Sequence, residues 1–285
     1  MSTDLLSIAL RTLALIGLFQ ASGVVFFLRL FGAWLPVSEV RIRRLGAAAA
    51  VGAVALVMAH RELEVVRMGD GLSALFELRL QRLAWRDGAG LAGELEVLGL
   101  IAIACNLLRR GAPASILAIC GAVAATVAAV ATGHTSVHPQ RLLLTPLLAL
   151  HLLLVAFWLG SLWPLILCGR HERRATVLTV LSGFSGLAGV LVPCLGLAGL
   201  SMALILLPSP AAWHGTYAAL LLTKLSIFVL LLLIASWNRW RALPAIAHTP
   251  GPGALRALQR SIVFEYALMA AVLAVTATMT TLYSP

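Results

Sequence analysis

Eight long apolar stretches, separated by short polar segments, dominate the pattern of this chain. Most run for about 20 residues without strand-like alternation, which is the length that an α-helix needs to cross a bilayer. The pattern predicts an all-α fold: one domain over residues 1–285, built as a polytopic membrane bundle of about eight transmembrane helices. The predicted spans are 5–30, 45–60, 92–108, 114–132, 146–168, 177–207, 215–237 and 261–282.

Two segments carry more local information. Thr145 is suited to cap the fifth span and Pro146 to occupy its first helical position, which would place His151 about 8 Å inside the span. In the loop 61–91, leucines and one phenylalanine recur at helical spacing after Asp70, with arginines opposite. This predicts an amphipathic helix at about 70–84, lying on the membrane surface or over the mouth of the bundle.

Composition supports the membrane assignment. Apolar residues make up 61% of the chain and charged residues only 11%, whereas a soluble domain has about 25% charged residues. The first apolar run is too long for the core of a signal peptide, so we expect it to be retained as a span. The sequence has no GxxxxGK[ST] motif, and we expect neither ATP hydrolysis nor another enzymatic activity.

The arginines predict the orientation. Thirteen fall in or beside the loops that follow spans 1, 3, 5 and 7, and seven fall on the other side. Because positive charge collects in cytoplasmic loops, the first set is expected in the cytoplasm and both termini outside. The net charge of +10 is explained in this way, with no nucleic-acid partner.

Five of the seven histidines would then lie at the outer ends of helices: His60, His134, His138, His151 and His214. Neutral imidazoles are common ligands of transition metals, and thioethers such as those of Met58 and Met202 suit Cu(I). The cluster indicates a copper entry site. Taken one at a time, each histidine is better explained as an interfacial hydrogen-bonding residue and each methionine as core filler, so the interpretation depends on their clustering.

Polar residues inside the last two spans form a second candidate group. Lys224, the only lysine, falls near the middle of span 7, Asn238 closes that span, and Glu265 lies one turn into span 8. A buried lysine is costly unless it finds a partner or water. Lys224 therefore either pairs with Glu265 and fixes the packing of the two spans, or serves a proton or ion path.

Three stretches resemble the copper resistance D (CopD) family of bacterial inner-membrane proteins. The first is Gly133-His134, followed by His151 and Trp158-Leu-Gly160-Ser161; the second runs from Tyr217 through Lys224 to Asn238-Arg239; the third runs from Leu255 through Arg260 to Glu265. This chain has Gly160-Ser161 where members often have Gly-Gly, and span 3 begins with Glu94 and Glu96 in place of an arginine.

The resemblance implies an inner-membrane protein with eight spans, and the arginine distribution then predicts that both termini are periplasmic. It would move copper ions, alone or with a periplasmic carrier of the CopC type. The positions that match the family's recurring residues are His134, His151, Trp158, Gly160, Lys224, Asn238 and Glu265. The prediction of His60, His138, His214 and Met58 as metal ligands has no support from the family and is based only on their positions at the outer ends of the predicted spans.

Two other functions fit the same pattern. Histidines that face each other across a bundle can hold a b-type haem, and an optical spectrum would reveal it. The protein could also be a scaffold that transfers copper to a partner without transporting it. Only a measurement of copper flux across the membrane would distinguish this scaffold from a transporter.

Overall fold

The described part of the chain is helical almost throughout. A computed structural model describes residues 2–69, 71–86, 88–109, 115–132, 139–207, 213–248 and 252–283. The α-helices are α1 (Ser2–Phe31), α2 (Glu39–Met68), α3 (Leu78–Arg86), α4 (Gly88–Leu108), α5 (Ile116–Ala128), α6 (Arg141–His171), α7 (Arg174–Leu206), α8 (Thr216–Trp237), α9 (Leu243–His248) and α10 (Pro252–Leu282). A π-helical turn, Asn238–Ala242, joins α8 to α9.

The predicted all-α membrane bundle is confirmed. Within the described ranges, seven helical segments are long and apolar enough to cross a membrane. The fourth predicted span is instead a shorter apolar helix, Ile116–Ala131. Ser115 caps the start of this helix, and its side chain accepts a hydrogen bond from the Ala118 N–H. After Ala128 the helix continues as a 3-10 turn.

Several predicted helix boundaries are wrong, two of them beside candidate histidines. Helix α2 does not end at His60 but continues to Met68, and α6 begins at Arg141, so that Pro146 lies inside the helix and Thr145 is not its cap. A proline near a helix start removes only one intrahelical hydrogen bond, so the helix extends past it. His151 therefore lies ten residues from the start of α6, about 15 Å along the axis.

The predicted surface helix is divided in two. A 3-10 helix, Leu72–Phe76, is followed by the short helix α3. Ala74 and Ala84 pack against Val65 at the end of α2, while Leu72 and Phe76 are 74% and 90% exposed. Asp70, proposed as a cap, lies outside the described residues.

The two ends of the bundle differ in character. Residues from the start of α1 contact the end of α2, and residues from the end of α10 line the same cavity as the start of α1. We call this the terminal end. At the opposite, arginine-rich end, Arg43 donates to the carbonyls of Asn106 and Arg109, at 2.8 and 2.7 Å.

Glu172 joins two loops at the arginine-rich end. Its Oε1 accepts hydrogen bonds from the Val37 N–H (3.0 Å), the Ser38 N–H (2.7 Å) and the Ser38 hydroxyl (2.7 Å). Partial burial acts to raise the pKa of this carboxyl, but the three donors outweigh it and hold the pKa below its usual value. The ionised carboxylate thus fixes the α1–α2 turn against the end of α6.

Helices α1 and α6 pack with their backbones in direct contact. A Cβ on Gly160 would lie 2.5 Å from the Gly23 Cα and 2.6 Å from the carbonyl oxygen of Phe19. Beside this crossing, Gln20 Nε2 donates to the Gly160 carbonyl at 3.0 Å. Such close packing of small residues is a common way to join helices in a bilayer, and it explains why glycine occupies position 160.

Candidate functional site: a cavity at the terminal end

A cavity of about 630 Å³ occupies the terminal half of the bundle. Most of its walls come from α1, α2, α6, α7, α8 and α10, and single residues of α3 and α4, Ala84 and Glu96, add to the lining on one side. Most of the lining is apolar, and the polar lining residues fall into two groups, one at the outer rim and one deeper. Of the residues singled out from the sequence, His60, His151, Trp158, Met202 and Lys224 line this cavity.

His60 belongs to a network of charged and polar groups at the rim. Its Nε2 lies 3.1 Å from the Ser7 hydroxyl, which donates to Glu64 at 3.0 Å. Arg67 in turn bridges Glu64 (3.1 Å) and Asp4 (2.9 Å). These bonds tie the start of α1 to the end of α2. Other charged groups on the same rim are Arg11, Arg61 and Glu96, and both arginines act on the Glu96 carboxylate.

His151 lies deeper, on the first half of α6. A Cβ on Gly199 of α7 would come 3.3 Å from its Cε1, so the glycine leaves room for the imidazole. The Nδ1 atom is buried and has no hydrogen-bond partner among the described residues. The ring is also close enough to Lys224 to be influenced by the ammonium charge. The Nδ1 nitrogen faces Gly199 of α7 and not the open part of the cavity, since a Cβ on Gly199 would lie 3.5 Å from it.

Lys224 reaches the cavity from α8, eight residues from the start of the helix and about 12 Å along its axis. In the ranges that the structure describes, it makes no hydrogen bond and no ion pair. The sequence left open a pair between Lys224 and Glu265. The structure does not form it, because Glu265 has other partners.

Glu265 is the centre of a hydrogen-bonded trio with Asn238 and Trp158. The Asn238 amide donates to its Oε1 at 2.5 Å, and the indole of Trp158 bonds to the same carboxylate. Glu265 is only 4% exposed. Asn238 opens the π-helical turn, a distortion that is frequent at functional sites. Three residues predicted from different spans thus converge beneath the cavity, whose wall Trp158 also forms.

Four thioethers line the cavity: that of Met68 at the end of α2, and those of Met202, Met269 and Met279 on α7 and α10. Only Met202 was proposed from the sequence. A signal for the two on α10 was present, since Met269, Val272, Thr276 and Met279 follow Glu265 at helical spacing and all line the cavity. Met58 does not line it and is 36% exposed.

The predicted histidine cluster is tested only in part by these positions. His134 and His138 lie outside the described residues. His214 is exposed just before α8 and is not among the cavity-lining residues. Among the residues that the structure does describe, no three His, Cys, Asp or Glu side chains come together as a metal-binding group.

The helices and the cavity define a multi-pass membrane protein that encloses a largely apolar chamber with a few polar groups. Residues 178–279 match the family model for copper resistance protein D. The resemblance to the copper resistance D family is thereby confirmed over this stretch, which contributes α7, α8 and most of α10 to the cavity walls. No curated protein and no solved structure gives a significant match to the chain.

Proposed function

We propose that this protein moves copper ions through the membrane by way of the cavity at its terminal end. The observation that carries the proposal is the cavity itself, which connects His60 at the rim with His151 and three methionines further along its walls. The stretch that matches the copper resistance D family supplies the three methionines and Lys224. Copper homeostasis in the membrane is what that family implies; transport through this cavity is our addition.

The chemistry of the lining supports copper as the cargo. Imidazole nitrogen binds Cu(II) and Cu(I), and thioether sulfur favours Cu(I). His151 lines the cavity and would supply an imidazole nitrogen to the ion. His134 and His138, which precede α6 in the chain, are proposed as further nitrogen ligands, and the exposed His214 would make an early contact with the ion.

Lys224 and the Glu265 trio are proposed as the part of the path that controls passage. An ammonium in the cavity repels a bare cation, so the ion passes only when that charge is removed or balanced. The Trp158 indole connects the cavity wall to the Glu265 carboxylate, and Asn238 links it to the π-helical turn. A movement of the wall can therefore reach the arginine-rich end of the bundle.

Removing His151 should weaken copper binding. We expect His151→Ala to lower copper affinity at least about tenfold, because even changes around a metal ligand cost that much. His60→Ala should lower copper affinity less, because the Nε2 atom of His60 is already in contact with Ser7 and Glu64. The measurement is copper retained per protein in competition with a chelator of known affinity.

The matched controls are His171→Ala and His248→Ala, which change histidines at the arginine-rich end of the bundle. Equal retention in all four variants and the wild type would contradict the copper site. An optical spectrum of the same samples separates the haem alternative, which predicts a strong Soret band. Copper flux into proteoliposomes separates transport from a scaffold that only hands copper to a CopC-type carrier.

The proposal also assigns the terminal end, with both chain termini, to the periplasm of a bacterial inner membrane. In a cysteine-free background, His214→Cys should react with an impermeant thiol reagent in intact spheroplasts. Arg173→Cys, exposed at the opposite end, should react only after lysis. The reverse pattern would place the cavity mouth in the cytoplasm.

A further inference from the structure

We propose that the cavity binds an organic anion, a carboxylate with an apolar body, whose head group is held by Lys224 beside His151. This goes beyond copper transport. It depends on the lysine and on the size and lining of the cavity, with His151 as a second contact for the head group.

The first support is the size and lining of the cavity. A volume of about 630 Å³ is far larger than a metal ion or a halide requires, and it falls in the range of sites for small organic molecules, about 300–1,000 Å³. Its deeper walls are apolar and aromatic, with Leu152, Trp158, Leu195 and Phe228 among them. A chamber of this kind favours a ligand with an apolar body.

The second support is the balance of charge. At the rim, the arginines are close to the carboxylates of Glu64 and Glu96, and Asp4 also pairs with Arg67. Lys224 has no such neighbour among the described residues, and the one buried acid of the adjacent helix, Glu265, is held by Asn238 and Trp158. A cation in an apolar setting needs a counter-ion, and here the protein chain does not supply one.

The third support is the pairing of polar groups. The lysine ammonium and the imidazole of His151 belong to neighbouring side chains that both line the cavity. A carboxylate has two oxygens and can accept a charge-assisted hydrogen bond from the ammonium and a second from an imidazole N–H. One ligand head group would therefore satisfy both.

Two sources can supply such a ligand: a fatty acid from the bilayer, or a carboxylate that carries the metal as a complex. The test uses the full chain in nanodiscs of phosphatidylcholine, with octanoate as the probe and calorimetry as the readout. We expect Lys224→Met to weaken octanoate binding at least about tenfold and Lys224→Arg to keep it within a few-fold. Octan-1-ol, which has the same body without the charge, should bind both variants alike.

Competition against labelled octanoate then separates the sources. Displacement by decanoate assigns the site to a fatty acid, and displacement by the copper(II) complex of phenylalanine without displacement by decanoate assigns it to a metal-bound carboxylate. Equal octanoate binding by wild type and Lys224→Met overturns the proposal, as does displacement by neither competitor. Copper retention by Lys224→Met, measured in parallel, reports on the copper site independently of this result.

Discussion

Gly23→Ala is expected to destabilise the protein by about 3 kcal/mol or more. The added methyl group would run into the carbonyl oxygen of Ala156 and come within 2.6 Å of the Gly160 Cα. Both obstacles are backbone atoms of α6, so no side chain can rotate away and the two helices must separate. Overpacking of a well-packed interior costs about 1–3 kcal/mol even where side chains can adjust. The measurement is the free energy of unfolding in mixed micelles.

The chain offers a matched control in Gly52→Ala. Gly52 is also a helical glycine, but nothing lies within 4 Å of where its Cβ would be. This substitution should be neutral or stabilising by up to about 1 kcal/mol, since alanine is the better helix former. If Gly23→Ala were as well tolerated as Gly52→Ala, the close contact between α1 and α6 would be wrong.

Glu265→Ala is expected to lower the free energy of unfolding by about 3 kcal/mol. It leaves the Asn238 amide and the Trp158 indole without their acceptor, in a place where water does not replace it, and each stranded donor costs about 1–3 kcal/mol. Glu265→Gln keeps one acceptor oxygen and should lose less. The readout is the same unfolding measurement.

Double-mutant cycles distinguish the two possible partners of Glu265. Asn238→Ala combined with Glu265→Ala should show a coupling energy of about 1 kcal/mol or more, because the two side chains share a hydrogen bond. Lys224→Met combined with Glu265→Ala should be additive to within about 0.5 kcal/mol. If Glu265 showed strong coupling to Lys224 and none to Asn238, Glu265 would pair with Lys224, and the hydrogen-bonded trio would be wrong.

The membrane-spanning helices could be predicted from the sequence because the thickness of the bilayer sets the length of the apolar stretch that each helix needs. The same reasoning missed where α2 ends, since Arg61, Glu62 and Glu64 read as a loop although their charges are satisfied along a helix that continues to Met68. It also missed the start of α6. Pro146 resembles a first-turn proline, and nothing local shows that the helix begins five residues earlier.

The site was predictable as a set of residues but not as an arrangement. His60, His151 and Lys224 could be chosen because polar groups at helix ends and inside spans are unusual, and Trp158 was chosen from the resemblance to the copper resistance D family. The hydrogen-bond partners of Lys224 and Asn238 depend on the rotation of each helix about its axis and on the depth of each residue in the membrane. The hydropathy pattern predicts neither the rotation nor the depth. The missed methionines of α10 illustrate this limit: their helical spacing was visible, but the cavity that they face is formed only when several other helices pack around α10.

Helix α8 is the least enclosed wall of the cavity. Its backbone packs mainly along α10, and only Ala218 and Leu231 of the whole helix are buried, although it carries Lys224 and Phe228. Acyl chains of the membrane must therefore pack against the outer face of α8. The lateral pressure of the bilayer then helps to determine the shape of the cavity. Micelles exert a different pressure, so affinities for any occupant of the cavity should be determined in lipid of native thickness.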